Sequence, residues 1–137
     1  MKFEYLSLAD AANNGPDGKL NVLGLGPRVL NLAALPGGVP LAIIGGVSAG
    51  IEEAGEYGLD LRLIEPDGTD VPLVSARALV PSDVQDTRAP TGAGFVVAWF
   101  GPFRLEGLHR IHAQFGQATA DYEFVVRLVR PESPLTP

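Results

Sequence analysis

The sequence predicts an all-β domain, an antiparallel β-sandwich of immunoglobulin-like or jelly-roll-like type with about eight or nine strands and little or no helix. Three observations carry that expectation. Apolar residues recur with a period of two, turn residues punctuate the chain at short intervals, and Gly and Pro number 17 and 12 among 137 residues. A period of two places alternate side chains on opposite faces of an extended strand, whereas a helix needs a recurrence near 3.6. The length suits one domain, expected over residues 1–130 and followed by a solvated tail, PESPLTP, at 131–137.

The first element pairs FEYLSLADAAN with KLNVLGLG across Asn14-Gly15-Pro16-Asp17-Gly18, residues that accept unusual backbone angles. Its second arm runs into Gly24-Leu25-Gly26-Pro27-Arg28-Val29, which begins like a dinucleotide-binding turn. That motif needs a third glycine where Val29 stands, a following helix and a parallel βαβ unit, and the hairpin supplies none of these. Gly24 and Gly26 are therefore read as a bend where the strand leaves its partner.

Val39 to Val47 and Phe95 to Phe103 are apolar runs that suit strands buried on both faces or at a sheet edge, with Pro40 and Pro102 limiting their ladders. Ala49 to Glu56 suits a short helical turn. Leu59, Leu61 and Leu63 share one strand face, Asp60 and Arg62 the other, and Glu65-Pro66-Asp67-Gly68 turns the chain into a second strand from Val71 to Leu79. Pro81 to Gly94 reads as a long loop. RLEGLHRIHAQFGQATADYEF forms another hairpin turning near Gly116-Gln117, and Tyr122, Phe124, Val126 and Leu128 line one face of the last strand.

Composition removes several chemistries. With 0 cysteines there is no disulfide, thiolate nucleophile or cysteine-based metal site. A net charge of −6 opposes a phosphate backbone, so nucleic acid is not an expected partner. Glu4 and Asp10 interrupt the apolar stretch that a signal peptide would need and no 18-residue apolar segment occurs, so the expected compartment is the cytoplasm without membrane attachment.

His109 and His112 are the only histidines, and an odd offset on a strand sends them to opposite faces, against a two-histidine metal site. Neither has an acid partner close in sequence, and no serine lies in a G-x-S-x-G context. Seven acids between Glu52 and Asp70 make Asp67 and Asp70, joined by Asp17, the candidate calcium ligands; a solvated acidic surface is the plainer reading. Trp99, flanked by Phe100 and Phe103, is a candidate stacking residue or else the core tryptophan of the sandwich, and Arg88 in the long loop is a second candidate ligand contact. No cofactor is expected.

Ala9-Asp10-Ala11-Ala12-Asn13 followed by Gly18-Lys19-Leu20-Asn21-Val22-Leu23-Gly24 resembles a family of small uncharacterised bacterial β-sandwich proteins, of actinobacterial type and unknown function. The resemblance implies the same sandwich and assigns no activity or site residue. The expectation for function is a non-catalytic interaction or assembly module, with a protein partner or self-association covering strands such as VPLAIIGGV. The alternative is a small-ligand or carbohydrate-binding sandwich using loops 49–56 and 81–94.

Overall fold

A computed structural model of the chain describes residues 1–16, 19–81 and 91–129. Asp17, Arg88, most of the expected loop and the tail at 131–137 lie outside the described residues. Among the described residues nine strands follow one another: β1 (Lys2–Asn14), β2 (Leu20–Leu25), β3 (Val29–Leu32), β4 (Pro40–Ala49), β5 (Gly55–Ile64), β6 (Asp70–Val80), β7 (Thr91–Phe100), β8 (Gly107–Phe115) and β9 (Ala118–Leu128). A 3₁₀ turn, Ile51–Glu53, falls within the expected helical stretch. The strands form a four-stranded sheet, β2-β1-β4-β7, and a five-stranded sheet, β3-β9-β8-β5-β6.

The sandwich is antiparallel with one departure, since the short β3 runs parallel to β9. That pairing follows from the bend anticipated at the glycines. Gly24 has φ +65° and Gly26 has φ +77°, and the Gly26 N–H still donates to the Leu8 carbonyl at 2.9 Å before the chain crosses to the other sheet. There Arg28 caps the crossing, its guanidinium donating to the Glu123 carbonyl and lying 4.3 Å from the Tyr122 ring centroid. The Tyr122 hydroxyl donates to the Pro27 carbonyl at 2.7 Å, so the crossing is held from both sides.

Tight turns set the remaining registers. Between β5 and β6, the Gly68 N–H donates to the Glu65 carbonyl at 2.9 Å and Gly68 takes φ +86°, the conformation glycine accepts without strain. Between β8 and β9 the turn is Gly116-Gln117, with Phe115 paired to Ala118 and Gly116 at φ +57°. β7 begins at Thr91, three residues inside the stretch expected as loop.

The core between the sheets gathers Leu8, Ile43, Leu61, Leu63, Ile111, Phe115, Phe124 and Val126, all 2 % exposed or less. Phe103 joins them from the connection after β7, where it exchanges two backbone hydrogen bonds with Gly37 at 3.0 and 2.7 Å. β4 differs from every other strand in being buried on both faces, as its apolar run anticipates. Its inner residues enter the main core; Ala42 and Ile44 on the other face form a second cluster with Ala9, against which Ala12, Leu20 and Val96 pack.

Ala12 and Leu20 of the β1–β2 hairpin thus reach that outer cluster. Gly24 faces Asp10 of the neighbouring strand so closely that a Cβ would collide with the carboxylate. Gly26 has more room, its nearest neighbours lying 3.9 Å from an added Cβ. Gly26→Ala should therefore cost about 1 kcal/mol of left-handed strain, and Gly24→Ala about twice that because the Asp10 contact adds to it. Chemical denaturation of both variants checks the order, and equal or negligible losses would refute it.

Candidate functional site

The two sheets present outer faces of opposite character. On the five-stranded sheet, Arg62 of β5 pairs with His112 of β8, which pairs with Asp121 of β9. His112 Nδ1 lies 2.7 Å from Asp121 Oδ1, Arg110 approaches the same oxygen at 3.7 Å, and Arg62 holds Asp70 at 3.0 Å. β5, β6, β8 and β9 thus contribute charges that neighbouring strands answer. These contacts are exposed and stand on a flat sheet, where ion pairs contribute about 0–1 kcal/mol each.

His109 goes the other way. The β8 registers with β5 and β9 run without a shift, so no bulge brings the two histidines together, and His109 is 1 % exposed within the core. Its Nδ1 donates to the Gly107 carbonyl at 3.0 Å, which leaves Nε2 as the bare nitrogen; that atom is buried and has no partner. The ring stacks on Phe124 at 5.5 Å and meets Phe103 edge-on at 5.4 Å. A proton on Nε2 would be a buried charge facing aromatic rings, so burial pushes the His109 pKa below its ordinary 6.5.

Above His109 the end of the sandwich is closed by an ion pair. Glu65 is 4 % exposed and receives both Nε, at 3.2 Å, and Nη2 of Arg104. Asp67, at the tip of the β5–β6 turn, lies 3.8 Å from the same guanidinium and accepts the Thr69 N–H at 3.0 Å. Hydrogen bonding from the Thr69 backbone holds the Asp67 carboxyl below its usual range. The two calcium candidates are therefore each beside an arginine, Asp67 with Arg104 and Asp70 with Arg62. Among the described residues no group of three or more His, Asp or Glu side chains is arranged to hold a metal ion.

The aromatic candidates are also separated. Trp99 points inward and meets Phe103 edge-on at 5.1 Å, while Phe100 points outward and is 63 % exposed. Trp99 pairs with Leu41 near the start of β4, whereas loop 49–56 begins at the far end of that strand. No single ligand site combines them. At the far end, Glu53, Tyr57, Gly116 and Gln117 border a cavity of about 520 Å³. Glu53 there accepts the Gly50 N–H at 2.9 Å, the bond that most lowers its pKa.

What remains is the outer face of the four-stranded sheet. Cross-strand rows place Leu25, Ala9, Ala42 and Ala98 side by side, then Ser7, Ile44 and Val96, then Tyr5, Gly46 and Gly94. Phe100 and Pro40 form the adjoining row. These rows carry no charge until Glu4, which accepts the Ser48 hydroxyl at 2.6 Å at the far margin. Gly46, Gly92 and Gly94 leave an open trough of about 520 Å³ beside Tyr5. Tyr5 is 43 % exposed and Leu25 66 %. The apolar run of β4 was the sequence signal for this face; the contribution of β1, β2 and β7 became visible only with the register.

The sequence profile of a family of unknown function (DUF6941) matches residues 4–127. No curated protein matches the chain. Among solved structures, a β-glucosidase from Listeria innocua in complex with glucose is similar with a TM-score of 0.54 and 12% identity, over 94% of this chain and 17% of that chain. The same enzyme in complex with gluconolactone gives 0.50 and 13%, over 77% of this chain and 15% of that one. The DNA glycosylase AlkC from Pseudomonas fluorescens gives 0.43 and 14%, over 74% and 28%. The likeness to the glucosidase concerns the fold alone, and this chain spans about a sixth of that enzyme's length.

Two outcomes follow from the closed end. A lowered histidine pKa means that the unfolded chain binds more protons, so the stability from neutral His109 is complete above about pH 6.5 and is lost as pH falls through the lower folded value. Denaturation midpoints should therefore drop below pH 6.5, and His109→Leu should flatten that slope; an unchanged slope would exclude His109 as its source. Arg104→Met should lower the midpoint by leaving the Glu65 carboxylate buried without its cation, and adding Glu65→Gln should recover part of the loss. Additive losses in the double variant would show that the two side chains are not coupled.

Proposed function

The chain belongs to the family of unknown function DUF6941, and we propose that it is a non-catalytic, cytoplasmic interaction or assembly module that works through the outer face of its four-stranded sheet. The observation that carries this reading is the contrast between the two outer faces. Charges cover one and answer each other across it, while the other runs from Leu25 to Ala98 without any. Ala9, Ala42 and Ile44 of this face are already buried, and the apolar side chains still in water are Tyr5, Leu25 and Phe100, which gain by leaving it. Aromatic anchors such as Tyr5 and Phe100 are the residue types that concentrate binding energy at protein contacts.

The closed end fits a structural part. His109 is enclosed by aromatic rings and Glu65 is engaged by Arg104, so neither is presented to a substrate. His112 and Asp121 are presented, yet they lie on an open sheet face without walls to exclude water or orient a reactant. The ligand-binding alternative has its support at the opposite end of the molecule from Trp99, in the cavity beside Glu53 and Tyr57.

The test is to tag the full chain in its native cells, stabilise complexes by mild crosslinking and measure their size. The wild-type chain should migrate in assemblies larger than the monomer. Phe100→Lys combined with Tyr5→Lys should release it as monomer with an unchanged melting temperature, because both side chains are exposed. Assemblies indifferent to both substitutions would move the contact off this face, and a wild-type monomer throughout would remove the module reading.

A further inference from the structure

Among the described residues, Nε2 of His109 is the buried side-chain nitrogen that no hydrogen bond reaches, and it lies in the end of the sandwich that Glu65 and Arg104 close. His109 and Glu65 border one cavity of about 260 Å³, together with Pro66, Arg110 and Glu123. Because Nδ1 already donates to the Gly107 carbonyl, a second proton can bind only at Nε2. Phe103 and Phe124 hold the ring in place and offer it no acceptor.

We propose that this end is an acid-responsive latch: a proton on Nε2 of His109 draws the Glu65 carboxylate away from Arg104, and the β7–β8 connection that Arg104 anchors comes loose while both sheets stay folded. Two cations then compete for one carboxylate. Glu65 is buried, as His109 is, whereas the Arg104 guanidinium is half exposed and returns to water at little cost. Asp67, 3.8 Å from that guanidinium, keeps a partner for it at the mouth. Pro66 lies beside Gly107, so the β5–β6 turn stays seated on β8 and the connection is the part that moves.

The charges around the ring set the direction of the response. Glu65 and Asp67 of the turn favour its cation, and Arg104 of the connection opposes it. Arg110 and Glu123, opposite in sign and paired across β8 and β9, border the same cavity, while β9 turns the uncharged Phe124 onto the ring. With the latch closed, burial holds the His109 pKa below its ordinary 6.5; once it opens, water and Glu65 let the ring titrate at or above that value. The ratio of open to closed chains therefore rises as pH falls below 6.5, by up to about tenfold per pH unit, until the closed form titrates too.

Two probes sit inside the latch. Phe103 and Gly37 exchange two backbone hydrogen bonds, and Trp99, the single tryptophan, meets Phe103 edge-on at 5.1 Å. As the full chain is acidified below pH 6.5, the hydrogen-exchange protection factors of the Gly37 and Phe103 amides should fall by up to about tenfold per pH unit, and Trp99 emission should move to longer wavelength. Amides of the β1–β4 ladder should keep their protection over the same interval. His109→Leu should abolish both changes, His112→Asn on the outer face should leave them intact, and Arg104→Gln should show low protection at Gly37 and Phe103 already at neutral pH. Protection at Gly37 and Phe103 that ignores pH would overturn the latch, as would its loss in step with the β1–β4 amides, which is unfolding of the whole chain. Wild-type protection in Arg104→Gln would overturn it too, and so would an acid response that persists in His109→Leu, which would put the proton on a carboxylate.

Discussion

A strand that is apolar on both faces lies inside the four-stranded sheet, and a two-layer sandwich can cover only one of those faces. β4 meets this constraint in two ways. Its inner residues, Leu41, Ile43 and Val47, join the core, while Ala42 and Ile44 on the other side are covered by the chain's own first hairpin. The cover is partial, since Tyr5 and Phe100 remain exposed on the same face. The surplus apolar surface is therefore a consequence of how this sheet is built, and the proposed contacts lie where the cover stops.

The opposite end of β4 is organised by different physics. Phe103 fills the core between Trp99, Phe124 and His109, and its backbone is bonded to Gly37, so the connection after β7 is fixed to the one before β4. Arg104, next in sequence, then reaches Glu65 across the mouth. An unpaired carboxylate at that depth would be costly, whereas a paired one holds the β5–β6 turn and the β7–β8 connection together. His109 is kept neutral beneath this closure. Polar groups serve here to seal an end that apolar side chains alone would leave open.

Hairpins were legible because their information is local. Pro66, Asp67 and Gly68 dictate a turn, alternation dictates which leucines face inward, and Gly116-Gln117 fixes the register of everything on β8 and β9. The His112–Asp121 contact follows from that register and could have been read from the turn position alone; searching for acids near in sequence missed it. β3 was not legible, because four residues are too few for a period and their partner lies at the far end of the chain. Nor was the Glu65–Arg104 pair, which depends on the path of two connections that no local pattern specifies. The placement of Trp99 away from loop 49–56 needed the direction of β4 relative to β7, a tertiary fact.

The parallel pairing of β3 with β9 also orders the assembly of the chain in time. Residues 29–32 leave the ribosome well before residues 125–128, the strand that completes their ladder. The β1–β2 hairpin can close as soon as it emerges, and β5 with β6 likewise, because their partners are adjacent. β3 must wait, its amides answered by water, until nearly the whole sandwich exists. Pairings of such sequence separation are closed late and slowly. Until β9 emerges the five-stranded sheet lacks the strand that joins β3 to β8, and β9 closes it.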